Sequence, residues 1–383
     1  MKVILAAGWG YPFKIHATNI KSEFIGRGVI AAGGDVLFLD ALWGTANVKK
    51  NTFGISDTGI RYVSLPRTHG ALSVFPNFFR VIKILKKEKQ KDEPNVFISM
   101  FSFPIVPMEW LICKIAGYKK CMLYHEWYQC LGNKSITSRI QGWLGDNFIP
   151  KYMDAIHPIS HFILNHCRKF NKPMFSIPVL SDYSDDACCK IEDMFTYCAS
   201  AGYLLRNTMV LEAFSKIKVC YPGLKLTLVL NQIGNSMPEV EALLESYNLN
   251  NSAIIKSNLS QADLYDTFRR SIGLLIPLDP DNIQDKARFS QKIAEYVAMK
   301  RPIITSNAGE IPYFFKDKDN AIIVEYDSES YAKALAYLYE NKQEASRIGK
   351  NGFYTGVNYF HYKKVGAELV KFYAQTFGYA NIK

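Results

Sequence analysis

An alternation that runs through the chain twice restricts its fold more than any other feature: short apolar runs separated by stretches of helical period. In the first half the runs fall at residues 3–7, 35–40, 62–65, 96–100, 122–124 and 155–158. In the second they fall at 195–198, 226–230, 253–256, 273–276, 302–305 and 321–324, and helical periodicity covers 208–217, 239–247, 261–269, 289–299 and 328–340. Apolar runs this short read as strands, and strands that alternate with helices are joined by crossovers, which make parallel sheets. The expectation is an α/β protein of two doubly wound, Rossmann-like domains facing across a cleft. Residues 1–180 form the first, 181–192 a linker, 193–357 the second, and 358–383 a C-terminal helix placed to pack back on the first.

A chain of 383 residues holds enough material for two such cores. It contains no apolar run of about 18 residues, so no segment reads as a transmembrane helix. The apolar start after Lys2 stops at Gly8 with no small-residue cleavage site behind it, which argues against a secretory leader. None of the eight cysteines, Cys188 included, is spaced as C-x-x-C, so the spacing excludes zinc ribbons and thioredoxin-type sites. A reducing, cytoplasmic setting is expected, peripheral to the cytosolic face of a membrane if the charge is used there.

That charge is uneven. Residues 1–180 carry 23 Lys and Arg against 11 Asp and Glu, whereas the rest carry 23 against 24. A basic half implies an anionic partner. The densest stretch runs from Asn77 to Lys91, where Phe78, Val81, Ile82 and Leu85 share one helical stripe and Arg80, Lys87 and Lys91 lie opposite. Such a helix either packs on a sheet with solvated lysines or rests on anionic lipid headgroups. No zinc-finger or RNP-like motif accompanies it, which argues against nucleic acid.

Two motifs are set aside. Gly26-Arg-Gly28-Val-Ile-Ala31 fits G-x-G-x-x-A but follows a helical stretch, whereas a dinucleotide fingerprint follows a strand. Asp279-Pro-Asp281 has the spacing of a metal–diphosphate site, yet this composition after an apolar strand reads as a turn, and no metal site is assigned.

The informative region runs from Gly273 to Glu310: a buried strand, a polar loop, a helix starting near Arg288 or Phe289, and a strand ending in a turn with Gly309. Free N–H groups at the helix start, around Phe289, Ser290 and Gln291, suit a diphosphate, and Glu295 stands within reach of an attached ribose. In the first half, Gly8-Trp-Gly10 on the turn after the first strand lets the backbone approach a ligand, and His125 follows an apolar run, at the strand end where α/β sites collect. His16, His69, His157, His161, His166 and His361 show no ligand spacing.

The stretch around Glu295-Tyr-Val-Ala-Met-Lys-Arg-Pro-Ile-Ile304, with the turn Asn307-Ala-Gly-Glu-Ile-Pro312, resembles the nucleotide-sugar site of family 4 (group 1) glycosyltransferases of the GT-B fold. Phe195–Tyr203 with Leu211–Phe214, Asp154–Ser160 and Asn320–Val324 extend the likeness over most of the chain. The resemblance implies a retaining transferase that moves a sugar from a UDP- or GDP-sugar to a glycan or lipid-linked acceptor in surface polysaccharide synthesis, with no metal or other cofactor. It implies donor binding by Arg206, Asn307, Gly309 and Glu310, support of the leaving diphosphate by Lys292, and a place for His125 beside the transferred sugar. There are departures. Ala287 stands where the family often has a second glutamate, and Ser200 and Leu205 stand where a loop Arg and Lys are usual, leaving Arg206 as the nearest cation. A catalytically silent binding subunit and a nucleotide-sugar epimerase are the alternatives.

Overall fold

A computed structural model of the chain describes residues 1–8, 10–12, 17–40, 42, 44, 49–68, 74–100, 105–131, 135–184, 189–231 and 233–378. They divide into two units: Met1–Leu180 with Ala287–Phe289 and Tyr359–Lys383, and Ser181–Lys286 with Ser290–Asn358. Among the described residues no helix is long and apolar enough to cross a membrane.

The first unit runs β1 (Lys2–Gly8), α1 (Ala17–Ala31), β2 (Asp35–Asp40), β3 (Thr52–Ile55), β4 (Arg61–Ser64), α2 (Phe75–Glu88), β5 (Asn95–Met100), α3 (Ile105–Ala116), β6 (Lys119–Tyr124), α4 (Ile136–Asn147), β7 (Ala155–Pro158) and α5 (His161–Cys167). The second runs β8 (Met194–Ser200), α6 (Ala201–Arg206), α7 (Met209–Lys218), β9 (Lys225–Asn231), α8 (Met237–Ser246), β10 (Ala253–Lys256), α9 (Gln261–Arg270), β11 (Gly273–Ile276), α10 (Ile283–Ala287), α11 (Gln291–Ala298), β12 (Ile303–Ser306), α12 (Ile311–Phe314), β13 (Ile322–Val324), α13 (Ser328–Glu340) and α14 (Lys342–Tyr359). The last helix, α15 (Tyr362–Phe377), belongs to the first unit.

Both sheets follow one plan. The first is ordered β3-β4-β2-β1-β5-β6-β7 and the second β10-β9-β8-β11-β12-β13. Every neighbouring pair is parallel except β3 with β4. Strand order reverses between β1 and β5 and again between β8 and β11, and at such switch points loops part to leave a crevice at the strands' C-terminal ends.

Burial on both faces explains why alternation is absent from the strands. In β1, Val3 and Leu5 join a cluster with α1 and α15, while Ile4 joins another with α2 and α3. In the second unit Phe195, Tyr197, Leu226 and Leu228 pack with Phe214 of α7 and Leu335 of α13. The amphipathic stretch around α2 buries Phe78, Val81, Ile84 and Leu85, leaving Lys83, Lys86 and Lys87 exposed.

Gly26 and Gly28 sit inside α1, and packing accounts for Gly28. A Cβ there would stand 2.3 Å from the Tyr362 carbonyl oxygen and 3.0 Å from the Gly366 Cα. Gly28 and Gly366 let α1 and α15 approach backbone to backbone. The structure differs from expectation in an additional edge strand, β3, in the additional helices α6, α12 and α14, and in the helix expected from Phe289, which begins at Gln291, after the separate short helix α10.

Candidate functional site

In the second unit the loops after β8, β11 and β12 emerge from neighbouring strands. Side-chain bonds tie two of them together. The Ser306 hydroxyl, at the end of β12, donates to the Leu278 carbonyl, and Leu278 N–H donates back to Ser306 Oγ at 3.1 Å. Asp279 N–H donates to the buried Asp285 carboxylate at 3.1 Å, and Asp281 N–H to Asp279 Oδ1 at 2.8 Å. The Asp279-Pro-Asp281 segment is thus a turn held by the carboxylates of Asp279 and of Asp285 on α10.

That turn leads through α10 to α11, where Ser290 is the N-cap but its side chain makes no capping bond. Lys292 and Glu295 lie three residues apart, so they share a helix face. Glu295 is buried, and desolvation raises its carboxyl from 4.5 to about 7, with Lys292 drawing it back. A carboxyl poised there can ionise when a ligand hydroxyl arrives. Past β12, Asn307 is exposed, Gly309 adopts φ +57° and Glu310 is buried at the N-cap of α12. After β8 the chain enters α6 directly, Ser200 capping it by accepting from Tyr203 N–H at 3.3 Å, and Arg206 is the last residue of α6. The Arg206 side chain lies outside the described residues, as do His16, His69, Trp9 and Cys188. Phe289, two residues ahead of α11, groups with the first unit, its ring buried edge-on against Phe360 at 5.5 Å.

In the first unit Gly8 ends β1 and Gly10 follows with φ +67°, a conformation that favours glycine. His125 follows β6. It is nine-tenths buried, and its Nε2 has no hydrogen-bond partner. Burial, then Lys21 and His157, hold it well below the ordinary histidine range, so it is neutral near pH 7. A neutral imidazole with an unpartnered nitrogen can donate to or accept from a sugar hydroxyl.

Sequence reasoning missed two neighbours of this histidine. Asp146, fully buried on α4, accepts from the Tyr124 hydroxyl at 2.6 Å and from the Tyr128 and Gln129 N–H groups at 3.1 and 2.9 Å. It thereby fixes both ends of the loop that carries His125. Lys21, on α1, is buried with its ammonium on the Ile177 carbonyl at 2.9 Å, and desolvation holds it well below the usual lysine range despite Glu126. The only local signal for Asp146 is a lone acid in a segment whose one other charge is Arg139, and nothing in the sequence distinguishes Lys21 from other helix lysines.

The described chain resembles known proteins. Residues 202–354 match the family model described as Glycosyl transferases group 1. No curated protein sequence matches the chain. Among solved structures, sucrose-phosphate synthase from Thermosynechococcus elongatus aligns with TM-score 0.71 at 14% identity, over 98% of this chain and 99% of that one. A glycosyltransferase from Rickettsia africae aligns with TM-score 0.70 at 15% identity over 98% of each chain. HepE of Anabaena, in complex with UDP and glucose, aligns with TM-score 0.73 at 12% identity, over 98% of this chain and 100% of that one. At these identities the likeness establishes the fold, two parallel α/β sheets as in GT-B structures.

Proposed function

We propose that this chain, whose residues 202–354 match the group 1 glycosyltransferase model on a GT-B fold, is a nucleotide-sugar-dependent glycosyltransferase that moves a sugar, with retention, from a UDP- or GDP-sugar to a glycan or lipid-linked acceptor. The observation that carries this reading is the Lys292–Glu295 pair on α11, with the carboxyl buried beside the β8–β11 switch point.

The roles follow from the chemistry of a departing nucleoside diphosphate. Charge grows on the β-phosphate as the glycosidic bond breaks, and preorganised donors lower that cost more than water can. Lys292, Arg206 and the Ser290–Gln291 backbone supply donors; Phe289, although outside the helix, leads the chain into them. Glu295 accepts from the ribose hydroxyls. Asn307, Gly309 and Glu310 line the sugar or phosphate side, while Gly8 and Gly10 admit the ligand to the first unit. His125 orients a hydroxyl of the sugar or acceptor. None of these roles calls for a metal. HepE is described with UDP and with UDP-glucose, which favours UDP as the first base to test. The basic first half suits an acceptor at the cytosolic face of an anionic membrane, as in surface polysaccharide assembly.

The test is nucleoside diphosphate release from a panel of UDP- and GDP-sugars, with and without lipid extract, comparing wild type with Glu295→Gln. Loss of about 3 kcal/mol of donor contact predicts a roughly 100-fold fall in kcat/KM. Undiminished turnover in the variant would remove Glu295 from the site. Release that needs no acceptor and yields an epimerised free sugar would favour the epimerase instead.

A further inference from the structure

An ordinary surface helix buries its apolar side and gives water its polar one. Helix α4 does the reverse. Its buried positions are Gly142, Gly145 and Asp146, and a Cβ at Gly142 would stand 2.6 Å from the Tyr128 carbonyl oxygen, so small residues face the protein. Outward stand Ile136, 74% exposed, Ile140, 54%, and Trp143, 53%. At about 100° per residue these three fall on one narrow side of the helix. The stripe continues past the helix into Phe148 and Tyr152, 39% and 49% exposed on the turn that follows.

Cations border the stripe. Arg139 and Lys151 are exposed, and exposed Lys169 bonds to Asn147 at the end of α4 at 2.8 Å. The one carboxylate of α4, Asp146, is buried and already bonded. Topology adds more positive charge on the same side of the sheet. Cys121 and Leu123 of β6 pack with α1 and α15, whereas Tyr124 points the other way and bonds Asp146, so α4 lies on the face that α2 and α3 cover. The right-handed crossovers β4-α2-β5, β5-α3-β6 and β6-α4-β7 require that arrangement. Exposed Lys83, Lys86 and Lys87 of α2 therefore belong to the same layer.

We propose that the outer side of α4 and the turn after it form a membrane-docking face, inserting Ile136, Ile140, Trp143, Phe148 and Tyr152 into the interface of an anionic bilayer while the flanking cations meet the headgroups. Trp and Tyr favour this depth, and apolar insertion combined with basic residues is the two-part signal that stable peripheral binding needs. A helix of 12 residues is too short to span, so the contact lies in the interface plane. A second copy of the chain is the poorer occupant. The helix offers roughly 18 by 10 Å, about 180 Å², against the ~800 Å² per partner of a stable interface, and a twofold contact would set its cations against each other. The inference shares a membrane with the lipid-linked acceptor proposed above, but it does not depend on donor chemistry.

The test is co-sedimentation of the full chain with phosphatidylcholine vesicles and with vesicles also containing phosphatidylglycerol. Wild type is expected to partition to the anionic vesicles, and Ile140→Asp with Trp143→Asp to lower the partition coefficient about tenfold or more. The variant's melting temperature and its stabilisation by UDP should stay those of wild type, since the substituted side chains face solvent. Wild type remaining in the supernatant, or a variant that binds as wild type does, would overturn the proposal. So would a wild-type dimer in light scattering that Trp143→Asp dissociates. Vesicle binding without any UDP response would count against the donor site alone and leave the docking face standing.

Discussion

Glu295 carries a cost in the unliganded protein that its proposed role explains. Burial raises its carboxyl from 4.5 to about 7, so between those values the folded state holds a proton that the unfolded state has released. The contribution of this group to stability is therefore full below about 4.5 and is lost as pH rises towards 7. At pH 8 the loss is on the order of 3 kcal/mol. Glu295→Gln should flatten that part of the stability–pH curve in the ligand-free protein, read by urea melts from pH 5 to about 8. Donor binding should run the opposite way: if the ribose hydroxyls need the carboxylate, UDP affinity falls about tenfold per pH unit below about 7 in wild type and not in the variant. Asp146 holds both ends of the loop that carries His125, and in the proposed chemistry it is a positioning residue for that histidine. Asp146→Asn keeps the size but weakens the charge-assisted bonds to the Tyr128 and Gln129 N–H groups. Its kcat should fall about tenfold while UDP affinity in the second unit stays unchanged, at a stability cost of about 1–3 kcal/mol. An equal loss of kcat and UDP affinity would point to general unfolding.

Close helix approach makes a sharper prediction at the level of elements. A Cβ at Gly28 meets the Tyr362 carbonyl oxygen at 2.3 Å, a backbone atom that cannot swing away, so Gly28→Ala should destabilise by about 1–3 kcal/mol. Gly202→Ala in α6 meets nothing within 4 Å and should instead stabilise by about 0.4–1 kcal/mol. Urea denaturation of the two variants separates the cases. The same contrast explains which elements could be read in advance. Strands buried on both faces announce themselves as apolar runs, and all twelve expected runs coincide with strands to within a few residues. Strand β3 escaped because it is an edge strand with Phe53 and Ile55 exposed, leaving no burial pattern to read. Helix α14 escaped because glycines make up much of its buried side: Gly349 lies against the Lys300 carbonyl, Gly352 against that of Asn320, and Gly356 against the Tyr183 ring. Hydrophobic periodicity cannot register a face built from residues without side chains. In the same way, Lys292 and Glu295 were readable from their motif, but Lys21 and Asp146 act through tertiary burial that no local pattern records.

Across the whole molecule, the two sheets share one winding plan, yet positive charge is concentrated in the first 180 residues, with 23 basic against 11 acidic side chains. Charge attraction to anionic vesicles should weaken as salt shortens the Debye length from about 10 Å at 0.1 M to about 3 Å at 1 M, whereas the apolar part of the docking should persist. The proposed donor site lies on α11 of the second unit. A thermal titration with UDP, GDP and ADP on wild type and Glu295→Gln tests it most directly. At about 100 times its Kd a ligand stabilises by about 2.7 kcal/mol, and the account predicts that shift for UDP or GDP in wild type and its loss in the variant. No response to any nucleoside diphosphate, or an equal response in both proteins, would contradict it.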